Sequence, residues 1–251
     1  MIALIDADSI TYKYASIYQD TCVWDDSDTD NIVATVSTDW GTAVKEMEGF
    51  VQGIMDTTNC TDRVLLLSPK RTFRYDVADD YKSNRKPQKV PLELLVPLRE
   101  YMLNEMGALC FDNVEADDVG VSRMYQEPGK YVLCHIDKDL NQAVGEHYNY
   151  NTKEFYTIDE ESANYWFYSQ ALEGDSVDGI KGCPKIGKVR AAKILAKVKP
   201  NKYWETIVET YAKAGKDEEY AIQQARLVYM LRDFNEKDQT FKLWEPKDED
   251  K

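Results

Sequence analysis

Four short apolar runs, each ending in or leading into acidic residues or a sharp turn, most constrain how this chain folds. "IALI" (2–5) runs into Asp6, "RVLLL" (63–67) into Ser68 and Pro69, "ALCF" (108–111) toward Glu115, Asp117 and Asp118, and "YVLCHI" (131–136) into Asp137 and Asp139. Runs of this length read as buried strands. Between them lie stretches with helical spacing: 9–18, 40–55 through Trp40, Val44, Met47, Val51 and Ile54, 91–103 opened by Pro91, and 116–126 opened at its acidic end. Strands alternating with helices build a parallel sheet. In open parallel sheets, ligand sites lie beyond the carboxyl ends of the strands. The expected fold is therefore α/β, with a central, mainly parallel sheet flanked by helices over 1–158 and a helical region over 159–251. Residues 20–38, polar and acidic, are expected to form a loop or insertion.

Such an arrangement brings the acids to one rim, where they repel. At an effective dielectric of about 20, two carboxylates about 4 Å apart repel by roughly 4 kcal/mol. Water, a cationic side chain or a metal ion must offset this. The acids concerned are Asp6, Glu115, Asp117, Asp118, Asp137, Asp139, Asp175 and Asp178. Taken singly, each has an ordinary explanation. Asp117 and Asp118 suit a helix dipole, "DKD" (137–139) a turn, and "GDSVD" (174–178) a helix cap; Asp8 also reads as a cap. Their recurrence near strand ends favours a metal site. Oxygen-only ligands suit Mg²⁺ or Mn²⁺, and two ions about 4 Å apart suit a phosphodiester displacement.

Composition excludes some classes and leaves others open. The chain has 251 residues, 43% of them hydrophobic, enough for a substantial core. Its net charge of −14 argues against nucleic acid as a partner until the distribution is considered. Residues 181–202 carry eight lysines and arginines and no acid, and 63–89 carry eight basic residues against Asp76, Asp79 and Asp80. The five cysteines form no C-x-x-C pair; Cys110 and Cys134 lie in apolar runs and are expected to be buried thiols. That usage suits a reducing compartment. The first residues lack a basic leader, and no run reaches the roughly 18 apolar residues of a membrane span. A cytoplasmic protein with no membrane partner is expected.

The most specific stretch is "GDSVDGIKGCPKIGKVRAAKIL" (174–195). Gly179, Gly182 and Gly187 punctuate it ahead of a basic helix, a pattern that exposes backbone N–H groups to a phosphate. The surrounding lysines add sequence-independent affinity.

With this segment, the motifs "EADD", "DKD" and "GDSVDGIKGCPKIG" resemble the signature of the flap endonuclease and 5′→3′ exonuclease superfamily, a PIN-like nuclease fold. "LIDAD" (4–8) resembles its N-terminal strand motif, and "YKSNRK" (81–86) the basic segment at its helical arch. The pattern runs from residue 2 to about 195, and residues 161–179 and 225–246 resemble T7-like bacteriophage exonucleases within it. The resemblance implies that Asp6, Glu115 and Asp117 hold a first Mg²⁺ or Mn²⁺ with support from Asp118, and that Asp137, Asp139, Asp175 and Asp178 hold a second. It implies a helix-three-turn-helix over about 174–197, with a potassium ion, where Gly182, Lys185, Gly187, Lys188 and Arg190 grip a duplex backbone. Arg71, Arg74, Tyr81, Lys82, Arg85 and Lys86, in a short arch at about 70–92, then contact nucleic acid, with Lys82 and Arg85 at the reacting phosphate. The chain departs from the family at Ser68 and Pro69, where an Asp usually follows the strand; Asp8 and Asp76 are candidates to compensate.

The implied function is metal-dependent 5′→3′ exonuclease or flap endonuclease cleavage at the 5′ end of duplex DNA by a monomer. RNA in RNA–DNA hybrids is an expected second substrate, as in primer removal during phage replication. Two alternatives belong to other classes. One is a catalytically inactive, structural DNA-binding member of the fold, supported by Ser68. The other is a phosphatase with a D-x-D after its first strand, which leaves 181–202 unexplained.

Overall fold

The computed structural model describes residues 1–25, 33–86 and 88–246. Five strands form one sheet in the order β4-β1-β5-β6-β7: β1 (Ile2–Asp6), β4 (Asp62–Leu66), β5 (Tyr131–His135), β6 (Gly145–Asn149) and β7 (Glu154–Ile158). The first four run parallel and β7 pairs antiparallel with β6. The expected mainly parallel sheet is present. In β1, Ala3 and Ile5 face one layer and Leu4 the other, the period-2 alternation of a strand covered on both sides.

One covering layer is α1 (Asp8–Ile17), α2 (Trp40–Thr58) and α4 (Leu95–Asn104), with the short α3 (Arg74–Val77) packed instead against the last helix. α2 buries Ala43, Met47, Val51 and Ile54, a helical stripe. It starts where Asp39 accepts a bond from the Thr42 amide and stops at Asn59, whose φ of 51° is left-handed. The other layer is α5 (Ala116–Gln126) with the chain's last segment, through Val119, Leu231 and Phe234. A third cluster joins α6 (Glu160–Glu173), α7 (Lys188–Leu195), α8 (Tyr203–Lys213) and α9 (Glu218–Val228) around Phe167, Trp204, Ile207 and Tyr211.

Four expectations need correction. Gln19–Asp25 (β2) and Val33–Thr38 (β3) pair as an antiparallel ribbon, and the rest of the expected 20–38 loop lies outside the described residues. Neither face of the ribbon is buried, so its Thr and Val content carries no hydrophobic alternation to read. "ALCF" forms no strand: Leu109 alone bridges to Leu66 before the chain turns, which leaves Cys110 exposed. The helix expected from Pro91 begins at Leu95. β6 is mostly polar and β7 is only five residues long, so neither shows the apolar run of a buried strand.

Between α6 and α7 the chain folds into a closed loop. Asp175 and Ile180 exchange both backbone bonds, at 2.9 and 2.7 Å. Gly174, at φ 71°, and Gly182 lie back to back, and a Cβ on Gly174 would sit 2.3 Å from the Ile180 carbonyl oxygen. Gly107 has a similar φ of 72° with open space around it. Gly107→Ala should therefore cost only left-handed strain, about 1–2 kcal/mol. Gly174→Ala should cost clearly more, lowering the melting temperature by several degrees beyond the Gly107 variant. Equal losses in thermal melts would contradict the close approach.

Candidate active site

β1, β4 and β5 end level with one another: Asp6 is opposite Leu66, and Ile5 opposite Cys134. Parallel pairing therefore places the residues just beyond each strand on one rim. Asp6 closes β1, Ser68 comes after β4, and Asp137 and Asp139 come after β5. α5 starts beside them because the Ala116 amide donates to Ser68 Oγ at 2.9 Å. Asp6, Asp8, Glu115, Asp117, Asp137, Asp139, Asp175 and Asp178 line one cleft of about 960 Å³, with Lys82 and Arg85.

The crowding shows in their acidities. Burial, then the neighbouring Asp8 charge, pushes Asp6 up to about 7. Burial, then Asp6 and Asp137, raises Asp117. Burial, then Asp137, pushes Asp139 up to about 7, with Asp175 against it. Asp139 Oδ1 is buried with no hydrogen-bond partner, and Lys138 Nζ stays 3.8 Å away. Among the described residues no three acidic, imidazole or thiol groups form a ready-made coordination shell. Cations instead hold several of the acids. Lys82 Nζ lies 2.5 Å from Glu115 Oε1 and 3.6 Å from Asp178 Oδ2, and Arg85 pairs with Asp178.

Three expected site residues have other roles. Asp118 is wholly buried; Arg74 takes both its oxygens, and the Glu115 and Leu231 amides also donate to them. It caps α5 and does not face the cleft. Arg74 is 1% exposed and turned inward to Asp118 and Glu115, so its side chain cannot meet nucleic acid as expected. Burial alone would lower the Arg74 pKa, and the two acids more than reverse this. Tyr81 is also buried; its hydroxyl donates to Asp178 at 3.0 Å, so it supports the wall and is not presented to a strand.

The segment expected as an arch folds down onto the closed loop. The Lys82 amide donates to the Asp178 carbonyl at 2.8 Å, Asn84 Nδ2 to Ser176 O at 2.6 Å, and Lys181 pairs with Asp80 at 2.5 Å. Arg71 is exposed and pairs with Asp76, which is thereby engaged away from the acids. Lys86 is exposed. Lys185, Lys188 and Arg190 are exposed around the α7 N-terminus, where Gly187 is the cap; Gly182 is buried and shapes the loop.

Sequence reasoning missed several neighbours. Asp8 Oδ2 accepts the Ser68 amide at 2.9 Å, and Arg99 binds both Asp8 and the Ser68 carbonyl. Tyr150 donates to the Asp6 carbonyl at 3.0 Å. His135 Nδ1 lies 2.6 Å from the Asp137 carbonyl oxygen and His135 Nε2 2.9 Å from His147 Nδ1. Burial pushes these histidines down to about 3 and about 4. Asp8, a candidate to compensate at Ser68, does line the cleft, although Ala7 and not Asp8 is the α1 cap; Arg99, Tyr150 and the two histidines carry no sequence signal.

The oxygen donors, the orphaned Asp139 oxygen and the raised carboxyl pKa values fit a hard divalent cation. Asp6 and Asp139 are acids raised above their unfolded value, so their ionisation opposes folding increasingly from about pH 4 and fully above about pH 7. A bound cation reverses that penalty by displacing protons. Divalent-ion affinity should rise between about pH 6 and 8, with proton release seen as buffer-dependent heat in calorimetry. Affinity flat across that range would contradict the assignment.

A family model described as "5′-3′ exonuclease, N-terminal resolvase-like domain" matches residues 1–167. The exonuclease of Escherichia phage T7 is 28% identical over 223 residues, covering 73% of this chain and 73% of that protein. The Shewanella woodyi protein named flap endonuclease Xni is 28% identical over 175 residues, covering 64% of this chain and 69% of that one. A 5′-3′ exonuclease of Buchnera aphidicola is 29% identical over 171 residues and covers 62% of this chain, which spans 60% of that relative's length. A solved structure of T5 5′-exonuclease with zinc ions bound matches 91% of this chain and 89% of its own at a TM-score of 0.66 and 15% identity, a likeness of fold.

Proposed function

The chain belongs to the 5′-3′ exonuclease family, and from that membership we propose that it is a divalent-metal-dependent nuclease cleaving phosphodiester bonds at the 5′ end or 5′ flap of duplex DNA. RNA in RNA–DNA hybrids is the proposed second substrate, and primer removal in phage replication the proposed setting. The observation that carries the proposal is the cleft in which acids from the ends of β1 and β5, from α5 and from the 174–178 turn face Lys82 and Arg85. The related T5 protein, alike in fold, holds divalent ions.

Asp6, Glu115 and Asp117 are the proposed holders of one Mg²⁺ or Mn²⁺, and Asp137, Asp139, Asp175 and Asp178 of a second. When bound, the two ions supply Lewis-acid stabilisation of the attacking and leaving oxygens. Lys82 and Arg85, already at the acids, meet the phosphate and offset its charge. The exposed amides at the α7 N-terminus, with Lys185, Lys188 and Arg190, hold a duplex phosphate without reading bases, with a potassium ion at that turn. The α/β core, 1–158, is the proposed nuclease domain and 159–251 the duplex-gripping region. The protein is proposed to act as a cytoplasmic monomer.

Ser68 gives one specific reason for the second reading, an inactive DNA-binding member. Asp137→Asn separates the two. It should lower cleavage at least about 100-fold while leaving DNA affinity, measured by anisotropy in chelator, within about threefold. Full activity in the variant would overturn the metal assignment, and binding without cleavage by the wild-type chain would install the second reading. Lys82→Ala should slow cleavage about 10²–10³-fold in a variant that still folds; unchanged rates would remove Lys82 from the mechanism.

A further inference from the structure

Arg74 has five N–H donors and finds an acceptor for each. Nε donates to the Leu227 carbonyl at 2.8 Å, Nη1 to Asp118 Oδ2 at 2.6 Å and Glu115 Oε2 at 3.2 Å, and Nη2 to Asp118 Oδ1 at 2.9 Å and the Tyr229 carbonyl at 2.8 Å. Burying a guanidinium costs several kcal/mol unless its donors are met in this way. Two of the acceptors are main-chain carbonyls at and just beyond the end of α9. They reach Arg74 only because the chain crosses behind the cleft there, and the Leu231 amide closes the ring on Asp118 Oδ1 at 3.0 Å.

Glu115 is thus gripped from two sides. Its Oε2 faces the fixed guanidinium, while Oε1 faces Lys82 on the cleft side. Asp118 cannot swing to share the load, since its oxygens are occupied and it is wholly buried. We propose that Arg74 is a positioning residue: the 227–231 segment locks its guanidinium, and the guanidinium fixes the orientation in which Glu115 presents Oε1 to the cleft. The C-terminal segment is then part of the site's inner wall. This rests on the proposed role of Glu115 in holding a divalent ion.

Lys in place of Arg keeps the charge but lacks the planar fork. Mn²⁺ affinity of the full chain, measured calorimetrically well below the melting temperature, should fall about 10–100-fold in Arg74→Lys. DNA affinity in chelator should stay within about threefold, because α7 is untouched. Asp118→Asn should also weaken Mn²⁺ binding, although residue 118 does not face the cleft, and it decides the matter where Arg74→Lys does not fold. Wild-type Mn²⁺ affinity in either folded variant overturns the inference and leaves the functional reading intact. So does a parallel loss of DNA and Mn²⁺ binding, which marks general unfolding. A wild-type chain that binds no Mn²⁺ overturns the functional reading, and the inference with it.

Discussion

Three parallel strands ending level on one rim leave the acids beyond them nowhere else to go. β1 delivers Asp6, β5 delivers Asp137 and Asp139, and α5, seated against Ser68, adds Glu115 and Asp117. Repulsion among such groups is worth several kcal/mol per close pair at protein-like dielectric, comparable to a large part of a domain's net stability. The rest of the structure answers that constraint. Arg74 holds Asp118 and Glu115 from within, Lys82 and Arg85 approach from the 81–86 segment, and Arg99 holds Asp8. Asp6 and Asp139, with no cation among the described residues within hydrogen-bonding distance, have their pKa values raised instead.

The helical region serves the same rim. The 174–182 loop turns back on itself through Gly174 and Gly182, which carries Asp175 and Asp178 to the cleft and leaves α7 pointing its amino end outward. A single backbone device thereby sets both an acidic edge on the cleft and a basic edge around the α7 N-terminus. The bonds from Lys82 and Asn84 to residues 178 and 176 tie the 81–86 segment to this loop.

Much of this was legible in the residues. Apolar runs and helical spacing marked β1, β4, β5, α2 and α5, and their alternation implied the parallel sheet that brings the acids together. The remaining strands were not legible: β2, β3 and β7 bury too little to show a period, β6 is mostly polar although His147 and Tyr148 are buried, and "ALCF" has strand composition yet pairs through Leu109 alone. Within the site, the motifs marked the right neighbourhood but not the direction of each side chain. Arg74 reads as one more basic residue in a basic stretch. Its burial depends on carbonyls more than 150 residues away, a tertiary contact without a local pattern. Asp118 reads as one more acid at a helix start for the same reason. Ser68 stands where the family motif expects an Asp, and its role became clear only in space: its hydroxyl seats α5 and its amide binds Asp8.

The central claim is that this rim hydrolyses nucleic acid from the 5′ side with divalent ions held by carboxylates alone. The most direct test compares duplexes labelled at the 5′ or the 3′ end, incubated with Mg²⁺, Mn²⁺ or chelator. The expected result is early release of the 5′ label as nucleotides or short fragments, a 3′-labelled strand that shortens from its far end, and no reaction in chelator. Release of inorganic phosphate alone, cleavage that persists in chelator, or bound but uncut DNA under both ions would contradict it.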